Sequence, residues 1–155
     1  VNAIVREATR ADVPAMQRIR HAVRENRLTS RTITDNEVLH AITATGRGWV
    51  AEVDGQVVGF AIGDAETGNI WALFVEPSHE RFGHGRRLHD EMLRWLWSLG
   101  LERLWLTTER GTRAEAFYRR AGWLQAGITP SSEVLFEQFV QGQGSIGRSN
   151  SKART

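Results

Sequence analysis

The residues best suited to chemistry stand in Glu80-Arg81-Phe82-Gly83-His84-Gly85-Arg86-Arg87, shortly after the apolar run Leu73-Phe74-Val75 and Glu76-Pro77. Gly83 and Gly85 lack Cβ atoms, so the backbone between them can turn tightly and present successive N–H groups to a ligand. A long amphipathic helix opens at the same place, and its first turn adds unpaired donors and a partial positive charge. The two glycines alone suit a plain strand-turn-helix corner equally well. Arg81, Arg86 and Arg87 tip the balance, because guanidinium groups gathered at one helix start repel one another unless solvated or facing an anion. The chemistry implied is the binding of a phosphate or pyrophosphate. No Gly-Lys-Ser/Thr follows, which excludes a P-loop, and the third glycine of a dinucleotide fingerprint is missing. His79, His84 and His89 recur at intervals of five, which does not align them on one helix face, so no metal site is expected.

The elements that must position this turn are marked by their own residues. Ala3 to Ala8 reads as a strand, and Thr9 with Asp12 caps a helix bearing Val13, Met16, Ile19 and Val23 on one side. After the polar stretch Asn26 to Ile33, Thr34 and Glu37 form a capping box for a second helix with Val38, Ala41 and Ile42, ended by Gly46 and Gly48. Trp49 to Val53 and Gln56 to Gly63 flank Asp54-Gly55, the pattern of a hairpin with a tight two-residue turn. Ile70 to Val75 is the strand entering the glycine turn, and Leu88, Met92, Trp95, Leu96 and Leu99 give the following helix, about His84 to Ser98, a core-facing stripe. Leu101 to Thr107 is a further strand, and Thr112 with Glu115 caps a short helix through Ala121. Trp123 to Ile128 and Glu133 to Phe139 pair across Thr129-Pro130-Ser131-Ser132. The resulting order is βααβββαβαββ.

A length of 155 residues with 41% hydrophobic and 25% charged composition suits one domain, expected over 1–140. The absence of cysteine excludes disulfides, thiolate metal sites and a cysteine nucleophile. Neither a signal peptide nor a long apolar run is seen, so a soluble cytoplasmic protein with no membrane partner is expected. The pI of about 9.9 invites a nucleic-acid reading. Residues 141–155, however, hold Arg148, Lys152 and Arg154 and no acid; without those three, 17 of the 20 basic residues face 18 acids, a charge of −1. The basic excess therefore belongs to a tail too polar to order itself, and no nucleic-acid partner is expected for the body.

The succession of strand, Val75-Glu76-Pro77, Gly83-His84-Gly85, helix, strand and then Ala114 to Trp123, with Phe117-Tyr118-Arg119-Arg120-Ala121-Gly122-Trp123, closely resembles the GCN5-related N-acetyltransferase (GNAT) superfamily. The resemblance covers residues 3 to 139. It implies an α/β (α+β) fold with a mixed, mostly antiparallel sheet of about six to seven strands flanked by about four helices. It implies acetyl-CoA as cosubstrate, no metal, a small-molecule or peptide amine as acceptor, and relatives that are often homodimers. It assigns Leu73, Phe74 and Val75 to the pantetheine arm and the amides of Phe82, Gly83, His84, Gly85 and Arg86 to the pyrophosphate, with Arg81 or Arg86 compensating Glu80. Glu80 and Gly111 depart from the family pattern, which has Gln or Arg and often Asn there. They lend weight to a second reading, a module that senses acyl-CoA without transferring it.

Tyr118, the only tyrosine, matches the family's general acid. A phenol with pKa about 10 facing a thiol of about 8.5 is uphill by roughly 1.5 units, so hydrogen-bond donation to the departing thiolate is favoured over early proton transfer. The attacking amine must lose a proton, at a cost of about 1 unit at pH 7 for an α-amine and about 3.4 units for a lysine-like amine. Glu109 is the first candidate base, ahead of Glu52 and Glu25. Trp71, two residues before Leu73, reads most simply as core, the alternative being a place in the lining of the acceptor pocket.

Overall fold

The computed structural model of the protein describes residues 3–24 and 32–140. The tail from 141 to 155 and most of the polar stretch after α1 lie outside them. Seven strands and four α-helices follow in the order β1 (Ala3–Glu7), α1 (Val13–Arg24), α2 (Asp35–Thr43), β2 (Gly46–Val53), β3 (Gln56–Asp64), β4 (Ile70–Val75), α3 (His84–Ser98), β5 (Arg103–Glu109), α4 (Arg113–Arg120), β6 (Leu124–Ile128) and β7 (Glu133–Phe139). This is the expected order. Two compact units result, one up to Leu99 and one from Gly100 onward.

The first unit holds the antiparallel sheet β1-β2-β3-β4. Its helices form because their caps and stripes agree. Thr34 accepts from the Glu37 amide at 3.1 Å while Glu37 accepts from the Thr34 amide at 2.8 Å, the reciprocal box that starts α2. Val13, Met16 and Ile19 of α1 and Val38 and Ile42 of α2 bury against Val50, Phe60, Ile62 and Ala72. The stripe Leu88, Met92 and Leu96 of α3 is fully buried and lies against β3, where Gly59 and Gly63 offer no side chain in its way. With α1 and α2 against Phe60 and Ile62 and α3 against the intervening residues of the same strand, both sheet faces are covered. Gly46 and Gly48, expected to end α2, instead open β2. A Cβ at Gly46 would lie 1.9 Å from the Gly63 carbonyl oxygen, so only glycine lets β2 pair this closely.

A charged cluster ties β1 to this unit. Arg6 clasps Asp12 through both guanidinium nitrogens at 2.9 Å and also reaches Glu52 at 2.9 Å. Asp12 also accepts from the Thr9 amide at 2.8 Å. Burial opposes charge on Asp12, but Arg6 and Thr9 outweigh it and hold the carboxyl below its usual range. Its folded pKa lies under its unfolded one, so the stabilisation is complete above about pH 4 and is lost as the pH falls through the folded value. Asp12→Asn is expected to cost about 1–3 kcal/mol at neutral pH and to flatten the acid limb of the stability curve, checked by urea melts from pH 7 downward.

The second unit holds the antiparallel sheet β5-β7-β6 and α4. β5 begins at Arg103 and runs to Glu109 because β7 pairs along that whole length, from Arg103↔Phe139 to Glu109↔Glu133. Thr112 accepts from the Glu115 amide at 3.3 Å, but Glu115 turns back to the Gly111 amide at 2.7 Å rather than to Thr112. Among the described residues no helix is long and apolar enough to cross a membrane.

Candidate active site

β4 is an edge strand. It pairs with β3 from Gly59↔Val75 to Ile62↔Ala72, and the other edge carries no strand among the described residues. With the Glu76 amide bonded to Val58, the alternation of an antiparallel pair turns the peptide groups of Leu73 and Val75 toward the open edge and that of Phe74 toward β3. Their side chains alternate. Phe74 packs on Phe60 with ring centroids 5.5 Å apart on the α1 face, whereas Val75 Cγ2 lies on the α3 side, near the Cβ direction of Gly85. One residue breaks the alternation. Ile62 pairs with Ala72 but Gly63 with Ile70, so Trp71 is the extra residue of a β-bulge.

Past Val75 the chain is anchored before it turns. The Glu76 amide bonds the Val58 carbonyl at 2.8 Å, and the Glu76 carboxylate takes Arg18 of α1 at 2.9 Å and the His79 ring at 3.4 Å. A single helical turn, Pro77–His79, follows. Arg81 then adopts φ 72° and Gly83 φ 86°, two left-handed residues separated by Phe82. Left-handed backbone costs a side-chain-bearing residue strain, and at Gly83 glycine removes it. Such alternation curls the peptide so that neighbouring N–H groups point into one concavity.

Those N–H groups are unspent. The first bond of α3 runs from the Arg87 amide to the Gly83 carbonyl at 3.1 Å. Among the described residues the amides from Arg81 through Arg86 have no acceptor. A Cβ at Gly85 would touch only Val75 Cγ2, at 3.6 Å, so the protein leaves that space open. Of the three arginines, Arg86 pairs with Asp90 at 3.1 Å and Arg87 reaches the Ala3 carbonyl at 3.3 Å. Arg81 is exposed and has no acidic partner among the described residues. Phe82 is 71% exposed. His84 is buried with its Nδ1 lacking a partner, and burial, then His79 and Arg87, press its pKa down, so it sits neutral at the helix start.

Tyr118 and Glu109 both fall in the second unit. Tyr118, on α4, is 6% exposed, with its ring against Phe117 at 5.3 Å, Trp123 at 5.9 Å and Phe136 at 6.1 Å. Its hydroxyl has no hydrogen-bond partner among the described residues and, though largely enclosed, is not completely sealed from solvent. Burial pushes the phenol pKa above its ordinary value. The folded state thus favours the neutral phenol, and this contribution is complete below about pH 10 and lost as the pH rises through the folded value. Tyrosinate absorbance of the native protein is expected to appear above pH 10 and later than in denaturant, a reading undiluted by any second tyrosine. Glu109 ends β5 rather than following it, is exposed, and its carbonyl accepts from Thr112 at 2.8 Å. Gly111 has φ 77°, which explains glycine there in backbone terms.

The structure adds residues that the sequence did not flag. Arg20 of α1 lies 5.7, 5.4 and 5.3 Å from the ring centres of Phe60, Trp71 and Phe74. Trp71 also forms part of the wall of a cavity of about 410 Å³ shared with α2 residues. Glu37 was legible as a cap, but its place in that wall was not, because only the bulge turns Trp71 toward α2.

The model of the acetyltransferase (GNAT) family matches residues 14–123. The fold is similar to the PaiA N-acetyltransferase of Thermoplasma acidophilum, solved in complex with coenzyme A, with 15% identity, 90% of this chain and 100% of that one covered, and a TM-score of 0.77. Ard1 of Thermoplasma volcanium gives 22% identity over 92% and 100% of the two chains, with a TM-score of 0.76. The Salmonella typhimurium protein yncA, solved with its cofactor acetyl-CoA, gives 20% identity over 92% and 96%, with a TM-score of 0.73. No curated protein sequence gives a significant match.

Proposed function

This chain belongs to the GNAT family of acetyltransferases, and on that premise we propose that it moves an acetyl group from acetyl-CoA to a primary amine by direct attack in a ternary complex. The observation that carries this reading is the run of unspent amides from Arg81 through Arg86, placed at the end of an open edge strand. Amides curled by two left-handed residues fit the oxygens of a pyrophosphate, and the helix dipole adds to them. The exposed Arg81 guanidinium offsets Glu80 and the added negative charge. The peptide edge of Leu73, Phe74 and Val75 takes the amide-bearing pantetheine arm as an extra strand would be taken.

Acetyl-CoA supplies an acyl group already activated as a thioester, so the chain's own residues need only bind it, aim it and manage two protons. Tyr118 donates a hydrogen bond to the sulfur as the C–S bond breaks; with its pKa raised, the phenol holds its proton more firmly than a free tyrosine does. Glu109 is the carboxylate proposed to receive the proton of the attacking ammonium, directly or through water.

Titration calorimetry with CoA, followed by thiol release from acetyl-CoA across a panel of amines, tests the reading. Binding with amine-dependent release supports it. Binding without release on any amine identifies a sensor of acyl-CoA, the reading that Glu80 and Gly111 favour, and no binding overturns both.

A further inference from the structure

Between α2 and the ends of β3 and β4 lies a cavity of about 410 Å³ lined by one aromatic residue, Trp71, two acidic residues, Glu37 and Asp64, and His40. Ile62 and Ala41 supply apolar area, and among the described residues neither lysine nor arginine lines it. We propose that this cavity holds a protonated nitrogen of the acceptor, and that the acceptor therefore carries two amino groups, one kept charged here and one acetylated. The inference rests on the transferase reading above and names its substrate class.

The first support is how firmly the wall is built. One oxygen of Asp64 accepts from the amides of Glu66 at 2.7 Å and Thr67 at 3.2 Å, and the second has no partner among the described residues. One oxygen of Glu37 closes the capping box of α2. Both carboxylates are thus held in place before any ligand arrives, which lowers the ordering cost of binding. The bulge brings Trp71 to the same space, since a regular strand would send residue 71 to the α3 face together with residue 73. Arg20 already lies over that indole at 5.4 Å, so the ring tolerates a neighbouring cation, and the carboxylates supply most of the attraction for a second one.

The second support is a chemical exclusion. Carboxylates that attract an ammonium also stabilise its charged form, and a protonated nitrogen has no lone pair with which to attack a thioester. A nitrogen bound here cannot be the nucleophile, so the attacking nitrogen must be another one on the same molecule. Spacing agrees. Trp71 precedes Leu73 by two residues, and at about 3.3 Å per residue the cavity wall lies roughly 7 Å from the strand segment proposed for the thioester arm. A short aliphatic diamine spans that interval.

The test compares diaminobutane, diaminoethane and butylamine at saturating acetyl-CoA. The expected result is a kcat/KM for diaminobutane at least about tenfold above that for butylamine, carried by KM, with diaminoethane too short to share the advantage. Asp64→Asn keeps a carbonyl for the Glu66 and Thr67 amides and is expected to fold; in it the preference for diaminobutane over butylamine collapses toward unity. Equal rates for the two amines in the unaltered protein, or an undiminished preference in Asp64→Asn, overturn the inference while leaving the transferase reading intact. If no amine is acetylated, the transferase reading falls and calorimetric titration with diaminobutane decides the cavity. Binding weakened about tenfold by Asp64→Asn supports a diamine site, and no binding removes it.

Discussion

A Tyr118→Phe enzyme is expected to bind acetyl-CoA as tightly as the unaltered protein and to transfer the acetyl group roughly a hundredfold more slowly. The ring is what the fold uses. Phe117, Trp123 and Phe136 surround it, and a phenylalanine ring keeps all three contacts. The hydroxyl has no partner among the described residues, so removing it orphans no buried group, and stability should stay within about 0.5 kcal/mol. What is lost is the one donor proposed for the departing sulfur. The effect should therefore fall on kcat with the KM for acetyl-CoA unchanged, and single-turnover kinetics beside calorimetry read the two separately. An undiminished rate would remove Tyr118 from the chemistry. A loss of several kcal/mol in stability would instead make it a structural residue.

Gly85→Ala is expected to make the protein more stable and the cofactor at least about tenfold weaker in binding. Glycine in a helix costs up to about 1 kcal/mol relative to alanine, somewhat less in the first turn, where Gly85 stands. The added methyl meets only Val75 Cγ2 at 3.6 Å, an ordinary contact, so no strain opposes that gain. The same methyl would stand beside the amides proposed to receive phosphate oxygens, where hydrogen-bonded approach leaves no room for an extra carbon. Gly83→Ala provides the contrast, since φ 86° charges the new side chain about 1 kcal/mol although nothing lies within 4 Å of it. Both variants should lose affinity while their melting temperatures move in opposite directions. Undiminished CoA binding by Gly85→Ala would show that no phosphate approaches that backbone.

Much of the scaffold was legible because local and tertiary signals agree. The apolar run Ile70–Val75, the buried stripe Leu88, Met92 and Leu96 and the Asp54-Gly55 hairpin appear where their residues place them, whereas Leu99, expected to end that stripe, is exposed. The reading was weaker where a distant partner decides. β5 takes its limits from β7, and Gly46 was read as a helix stop when its bareness serves a close approach to β3. Glu115 was expected to bond Thr112 and bonds Gly111 instead. Of the candidate site, the glycine turn was visible as a motif, whereas the unspent state of its amides is a property of three-dimensional surroundings. The bulge at Trp71 has no sequence mark, so the cavity it helps to line could not be foreseen.

The bare side of β4 has a consequence for handling as well as for catalysis. A row of unsatisfied peptide groups is a template for another polypeptide, and the β4 segment Ile70-Trp71-Ala72-Leu73-Phe74-Val75 is wholly apolar, without the charge or proline that usually discourages such pairing. On the proposed reading the nucleotide thioester shields this row, so the cosubstrate acts as a guard against self-association. Stocks purified without it should cloud first, and a cell starved of it would be left with a stickier protein as well as an idle one.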